Sequence, residues 1–371
     1  MVYLDNAATS FPKPERVLHA VEETMRYLGA NPGRSGHRMS LAAARIVLDA
    51  REALAAFLHV QNPDDIVFGS NCTDMLNLAI QGACTDGMHV LTSAYAHNSV
   101  LRPLHRLATE GRIRLTIAVD PLARMGADVD FLILPHADNV TGAIAPIEQA
   151  AVLCHMHHSL LLVDAAQTAG VLPLYPEEWG VDLCAMPGHK ALLGAQGTGA
   201  LYIRPGLSLR PLKYGGTGTS SNLLTQPEER PERYESGTLN TPGIASLGQG
   251  VRYCLENRPE IRGRELLLTE RLLCGLMDIP RVTVYGPLDA ISRVGTVSFN
   301  VGDLPSGRVA DALDEAGICV RAGLHCAPLA HEAMGTGERG AVRASLGYAS
   351  TRADVDALLQ AVARIQKEVQ A

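Results

Sequence analysis

The chain has 371 residues, 47% hydrophobic and 19% charged, which is ample for a buried core and more than one small domain needs. Its net charge of -7 and the lack of any Lys/Arg-rich run exclude the electrostatic footprint of a nucleic-acid binder. Eight cysteines without a CxxC pair exclude a disulfide framework or zinc cage and point to a reducing compartment. The N-terminus has neither a basic nor an apolar leader region, and no apolar stretch reaches the roughly 18 residues that span a bilayer. A soluble cytoplasmic protein with no membrane partner is expected.

In chain order, strands are expected at Asp65–Ser70, His89–Ala94, Arg114–Val119, Asp130–His136 and Leu160–Asp164, with a further apolar strand before Gly188. Helical spacing covers Leu41–Leu58 and Thr73–Ala83. Strands alternating with helices imply an α/β fold with a mostly parallel, doubly wound sheet, whose ligands sit beyond the strands' carboxyl ends. Asn71–Thr73, His97, Asn139 and Asp164 all follow or close strands. Gly215–Pro231 reads as a surface loop. From about residue 245 the pattern changes. A long helix, Ala245–Met277, precedes strands at Val282–Tyr285 and Val294–Val301. A helix at Ser306–Ala316, short strands at Ile318–Arg321 and Val342–Leu346, and a helix at Thr351–Glu368 follow, as in a smaller α+β domain. No internal repeat is visible.

Three local patterns carry chemistry. Leu161-Leu162-Val163-Asp164 ends an apolar run in a carboxylate, which is costly to bury unless a cation or donors receive it. A protonated pyridine nitrogen is such a cation, although Asp164 can equally cap the turn that follows. Lys190, in Gly188-His189-Lys190, follows a strand; in an apolar pocket its amine loses pKa and can form an imine. Gly69-Ser70-Asn71-Cys72-Thr73-Asp74 opens a helix directly after a strand, where backbone N–H groups and the helix dipole favour phosphate. An ordinary N-cap reads the same way. Gly215-Gly216-Thr217-Gly218 lacks the strand–helix setting of a nucleotide loop.

Tyr3-Leu4-Asp5-Asn6-Ala7-Ala8-Thr9, Val163-Asp164 with Gln167, Gly188-His189-Lys190 and Glu235-Ser236-Gly237-Thr238 together resemble the class V, fold-type I pyridoxal-phosphate enzymes. Arg321-Ala322-Gly323-Leu324-His325-Cys326-Ala327-Pro328 and Arg343-Ala344-Ser345-Leu346 narrow the resemblance to cysteine desulfurases and selenocysteine lyases. It implies a large domain, residues 15–245, around a mostly parallel seven-stranded sheet, and a small α+β domain from residues 1–14 and 246–371. It implies pyridoxal 5'-phosphate as cofactor, held by Lys190 as a Schiff base. Asp164 would then pair with the pyridine nitrogen, Gln167 with the phenolic oxygen, and His97 would stack on the ring. Thr73, His189 and the Cys72 position would hold the phosphate, with Thr238 reaching that of a neighbouring subunit in a homodimer. Asn139 also lines the cofactor site and, with Arg343 and Arg321, receives the substrate carboxylate. Cys326 would be the persulfide-forming nucleophile, on a short loop like that of the enzymes needing an acceptor protein.

Cys72 stands where the family commonly has Thr, and Pro187 where it often has Ser, so two hydroxyl donors to the phosphate are missing. Cys326 must react as a thiolate, and His325 and Arg321 are the neighbours that could lower its pKa, unless His325 points away. The other cysteines read as core or surface residues, and His155-Met156-His157-His158 as a solvated helix end rather than a metal site. The expected reaction is L-cysteine to L-alanine with sulfur retained on Cys326. The alternatives are a selenocysteine lyase, or another class V aminotransferase or C–S lyase in which Cys326 is incidental. A non-catalytic iron–sulfur scaffold is disfavoured by the scattered cysteines.

Overall fold

The structure is a computed structural model that describes residues 1–32, 36–219 and 222–368. The chain runs β1 (Val2–Tyr3), α1 (Glu15–Tyr27), α2 (Arg38–Leu58), β2 (Ile66–Gly69), α3 (Cys72–Ala83), β3 (His89–Ser93), α4 (Asn98–Thr109) and β4 (Arg114–Ala118). It continues through β5 (Phe131–Pro135), α5 (Ile147–His157), β6 (Leu160–Asp164), α6 (Pro176–Trp179), β7 (Leu183–Pro187) and β8 (Gly199–Ile203). Then come α7 (Thr241–Met277), β9 (Val282–Tyr285), β10 (Thr296–Val301), α8 (Ser306–Glu315), β11 (Ile318–Cys319), β12 (Arg321–Gly323), α9 (Pro328–Ala333), β13 (Ala341–Ser345) and α10 (Arg352–Glu368).

Seven strands form one sheet in the order β2-β8-β7-β6-β5-β3-β4. The run from β7 to β4 is parallel, and β8 is antiparallel to both β7 and β2. Helices cover both faces, so the central strands are apolar almost throughout; every residue of β7 is buried. On one face α2 and α7 bring Leu54, Phe57, Leu247 and Val251 against the sheet. On the other, α3 and α4 bring Leu76, Ile80, Val100 and Leu104. Each such side chain contributes about 1.5–3 kcal/mol by leaving water, which is what fixes strands this short.

Register decides where the polar strand ends go. Gly69 and Pro187 both pair with Gly199, so the carboxyl end of β2 shares an edge with that of β7 despite the intervening antiparallel strand. Asn71–Thr73, His97, Asn139, Asp164 and Lys190 therefore gather along that edge.

A second sheet, β12-β13-β10-β9, is antiparallel and packs against the last third of α7, α8 and α10 through Leu272, Leu276, Val309, Leu313, Leu358 and Val362. The N-terminal segment joins this part: β1 pairs with β11, and Asp5 bridges Ser345. The change of pattern near residue 245 falls within α7, whose first half packs on the large sheet and whose last third packs on the small one.

Several boundaries differ from expectation, for local reasons. Helix α2 begins at Arg38, not Leu41, because the His37 ring accepts Ser40 N–H as an N-cap. Helix α7 begins at Thr241, capped by Asn240. The single strand expected at Ile318–Arg321 is two strands, since β11 pairs with β1 whereas β12 pairs with β13. Helices α1 and α4 and strand β8 were not expected; α4 carries Pro103 in its interior and β8 opens on a glycine. The expected loop at 215–231 includes residues 220 and 221, which lie outside the described residues; the rest is irregular. Among the described residues no helix is long and apolar enough to cross a membrane.

Candidate active site

A cleft opens at the carboxyl edge of the large sheet. Cys72, Thr73, His97, Asn139, Asp164, Gln167, His189 and Lys190 all line it. Five segments far apart in sequence thus meet in one place.

Lys190 sits in the turn after β7. Gly188 N–H donates to Thr198 O, and a Cβ at Gly188 would lie 2.1 Å from the Thr198 hydroxyl, so glycine is required there. The N-terminal segment ties the turn down from the other side. Ser10 Oγ donates to Lys190 O at 2.8 Å, and Lys13 Nζ to His189 O at 2.6 Å. The Nζ of Lys190 has no hydrogen-bond or ion-pair partner among the described residues. Burial lowers its pKa, and this outweighs the raising effect of Asp164. The shift is toward the neutral amine, the form that acts as a nucleophile.

Asp164 is 5% exposed. Its Oδ1 accepts the Ala166 N–H at 3.0 Å and the Cys72 thiol at 3.8 Å, so it does cap the following turn. Its Oδ2 receives no hydrogen bond among the described residues. Burial raises its pKa, while Lys190 and the two donors lower it. A buried carboxylate with one oxygen free toward a cleft is stabilised by a cation placed there.

At the start of α3, Asn71 Oδ1 accepts the Asp74 N–H at 2.9 Å. The N–H groups of Cys72 and Thr73 have no partner among the described residues and are free for an anion at the helix N-terminus. A Cβ on Gly199 would lie 2.5 Å from the Asn71 backbone, so a glycine there lets the cup approach β8. The Cys72 thiol turns to Asp164 and is not aligned with these donors.

His97 caps α4. Its Nδ1 accepts the Ser99 N–H at 3.0 Å, which places the ring proton on Nε2. Burial, Lys190 and Arg343 push its pKa down to about 4, so the ring is a neutral, flat surface at physiological pH. Ser99 Oγ also joins His97 to Thr73 Oγ1, at 2.9 and 2.8 Å. His189 is likewise kept neutral, pushed to about 4 by burial, Lys190 and Lys13, with Nδ1 3.0 Å from Thr9 Oγ1. Gln167 Nε2 donates to Ala7 O at 3.3 Å.

The remaining expected residues lie beside the cleft or away from it. Arg343, on β13, donates to Asn139 O at 2.9 Å and to Asp5 Oδ1 at 3.1 Å, while its buried Nε has no partner. Arg321 pairs with Asp5 Oδ2 at 3.2 Å. Cys326 is exposed in a tight turn between β12 and α9. His325 and Cys326 both have positive φ, 51° and 58°, and Ala327 N–H donates to Leu324 O, the signature of a type I′ turn. A non-glycine residue in that region costs roughly 1–2 kcal/mol. Thr238 is exposed and lines a separate depression with Ser70, Asp74 and Lys213.

Of the two orientations open for His325, its geometry is the one turned away from the thiol. The ring is buried, faces His331 with Nδ1 3.2 Å from Nε2, and is pushed down to about 3 by burial and Arg343. A neutral ring aimed away from the cleft supplies no positive charge. Sequence reasoning also missed Ser99, Ser10 and Lys13, whose roles are contacts between distant segments, and Asp5, whose place in the Tyr3–Thr9 motif was the available signal. His155 and His157 end α5, and among the described residues no His/Cys/Asp/Glu cluster suits a metal ion.

A family model described as aminotransferase class-V matches residues 2–358. A probable cysteine desulfurase of Methanothermobacter thermautotrophicus is 34% identical, covering 96% of this chain and 92% of its own. A cysteine desulfurase of Salmonella agona is 30% identical, covering 99% and 94%. The apo structure of the cysteine desulfurase from Thermococcus onnurineus NA1 superposes with a TM-score of 0.92 at 31% identity, covering 99% of this chain and 95% of that one.

Proposed function

Because the chain belongs to the class V aminotransferase family, we propose that it is a cysteine desulfurase that uses pyridoxal 5'-phosphate, releases L-alanine from L-cysteine and retains the sulfur on Cys326. One observation carries the reading: an unpartnered, desolvated amine at Lys190 shares a cleft with a buried carboxylate, Asp164, whose Oδ2 is free, beside an exposed thiol.

The residues present fit the cofactor. Lys190 Nζ is free to bond to its aldehyde carbon, Asp164 Oδ2 to hold the proton of its ring nitrogen, and the N–H groups of Cys72 and Thr73 to receive its phosphate. The missing hydroxyls at positions 72 and 187 are offset by these backbone donors and by His189. The neutral ring of His97 lies against a flat group without charge repulsion. When bound, the cofactor supplies an electron sink for the pair left at the substrate α-carbon.

The chain's own groups do the rest. Arg343 and Asn139 orient the substrate carboxylate, with Arg321 beside them. Lys190 Nζ, freed by the substrate amine, takes up the α-proton. Cys326 attacks the substrate sulfur as a thiolate; the new S–S bond forms as the C–S pair returns to the β-carbon, which gains a proton and leaves as part of alanine. Among the charged neighbours, Arg343 is close enough to interact with the Cys326 charge. The exposed turn suits hand-over of sulfur to an acceptor protein. Thr238, exposed near Lys213, is offered to the phosphate of a second copy, and a monomer by light scattering would overturn that role.

The test incubates wild type and Cys326→Ala with L-cysteine and with L-selenocysteine and measures alanine. Collapse of alanine from cysteine in the variant supports the desulfurase. Full activity of Cys326→Ala with cysteine sinks the persulfide assignment, and turnover of selenocysteine alone makes the chain a selenocysteine lyase.

A further inference from the structure

The Cys326 turn combines two residue types that disfavour it. Type I′ turns call for Gly, Asn or Asp at both central positions, and here those positions are His and Cys. Such a turn persists only where the surroundings over-determine it.

Three sets of contacts do so. Asn139 Nδ2 donates to His325 O at 2.7 Å. The Asn98 N–H, at the start of α4 beside His97, donates to Cys326 O at 2.8 Å. Both straps come from the large sheet's side of the cleft and fix the backbone. The third set holds the side chain of His325. Thr336 Oγ1 lies 2.8 Å from His331 Nδ1, His331 Nε2 lies 3.2 Å from His325 Nδ1, and His325 Nε2 faces Arg321 O at 3.5 Å. The two rings thus link Thr336 to the turn through consecutive hydrogen bonds. His331 is fully buried and His325 and Thr336 nearly so. None of the three lines the cleft.

We propose that His331 and Thr336 are positioning residues for Cys326: with His325 they form a neutral hydrogen-bond chain that holds the nucleophile's turn in its left-handed conformation. This rests on the desulfurase reading only for its catalytic consequence; the effect on the thiol itself is independent of it. A chain of neutral donors adds no charge near the thiol, so its contribution is geometric.

The experiment uses the holoenzyme of wild type, Thr336→Val, Thr336→Ser and His331→Gln. Three quantities are read: the rate of Cys326 alkylation by iodoacetamide, located by peptide mass, the cofactor absorbance, and kcat and KM for L-cysteine. Thr336→Val keeps shape but cannot hydrogen-bond His331, which frees the chain at its end. The expected result is unchanged cofactor absorbance, KM within about two-fold, kcat lowered about ten-fold or more, and a Cys326 alkylation rate altered several-fold, with Thr336→Ser restoring all of them. His331→Gln, which can keep only one of the two bonds, reproduces the loss. If Thr336→Val and Thr336→Ser both fold and match wild type in alkylation and kcat, the chain is mere packing and the proposal is wrong. If alkylation responds as expected but kcat does not, and Cys326→Ala is active, the positioning stands and the desulfurase reading falls. Where His331→Gln fails to fold, the Thr336 pair alone decides.

Discussion

The cleft and the Cys326 turn outside its lining obtain their chemistry by different means. The cleft carries Asp164 and Lys190 at the ends of parallel strands, and burial is the active ingredient: it raises the pKa of the acid and lowers that of the amine. The Cys326 turn, between β12 and α9, is exposed to solvent, and its active ingredient is backbone conformation held by contacts from elsewhere. Desolvation at a rigid strand end needs only local apolar sequence. A strained turn needs partners from the rest of the chain.

That difference should appear as separable losses. The largest is expected at Lys190: Lys190→Ala lowers alanine formation by roughly a thousand-fold or more and removes the absorbance of the lysine-bound cofactor. Asp164→Ala follows, with activity down roughly a hundred-fold and cofactor affinity weakened, read by equilibrium dialysis. Changes on the Cys326 turn should spare the colour, and a Cys326→Ala protein that cannot retain cofactor would break the distinction.

Glu265 sharpens it by stability. It is buried behind Lys190, accepts Gly295 N–H at 2.5 Å and pairs with Arg262, and burial raises its pKa from 4.5 to about 7. A raised acid favours the folded state below its unfolded pKa and loses that contribution as pH rises through the folded one. Relative to Glu265→Gln, wild type should therefore lose about 3 kcal/mol between pH 4.5 and 7, read from urea midpoints. Parallel curves would contradict the burial account. The smallest effect is expected at Cys72. Its thiol is a weak donor to Asp164, so Cys72→Val should change cofactor affinity by about two- to five-fold, measured by fluorescence titration. A loss as large as that of Asp164→Ala would mean that the thiol, not the backbone, carries the phosphate end.

The same contrast explains what was legible in the sequence. Val163-Asp164 and Gly188-His189-Lys190 are strand-end signals readable from local pattern, and the structure brings both to one cleft. The alternation of strands and helices gave the parallel sheet. Helix α4 was hidden by Pro103, and strand β8 by the glycine that opens it. The split at Val320 depends on β1 and β13 as separate pairing partners, which no local window contains. The orientation of His325 stayed open for a related reason. Adjacency to Cys326 is visible in sequence, whereas the left-handed backbone and the His331 acceptor that turn the ring away are not. Ser10 and Lys13 grip the Lys190 turn from about 180 positions away, again through tertiary contacts alone.

The central claim is that Lys190, and no other lysine, holds the cofactor. Borohydride reduction of the cofactor-loaded protein, followed by digestion and peptide mass mapping, tests it directly. A pyridoxyl group on the peptide containing Lys190, absent from the Lys190→Ala protein, is the predicted result; a label on Lys13 or Lys213, or none on Lys190 after cofactor loading, would contradict it.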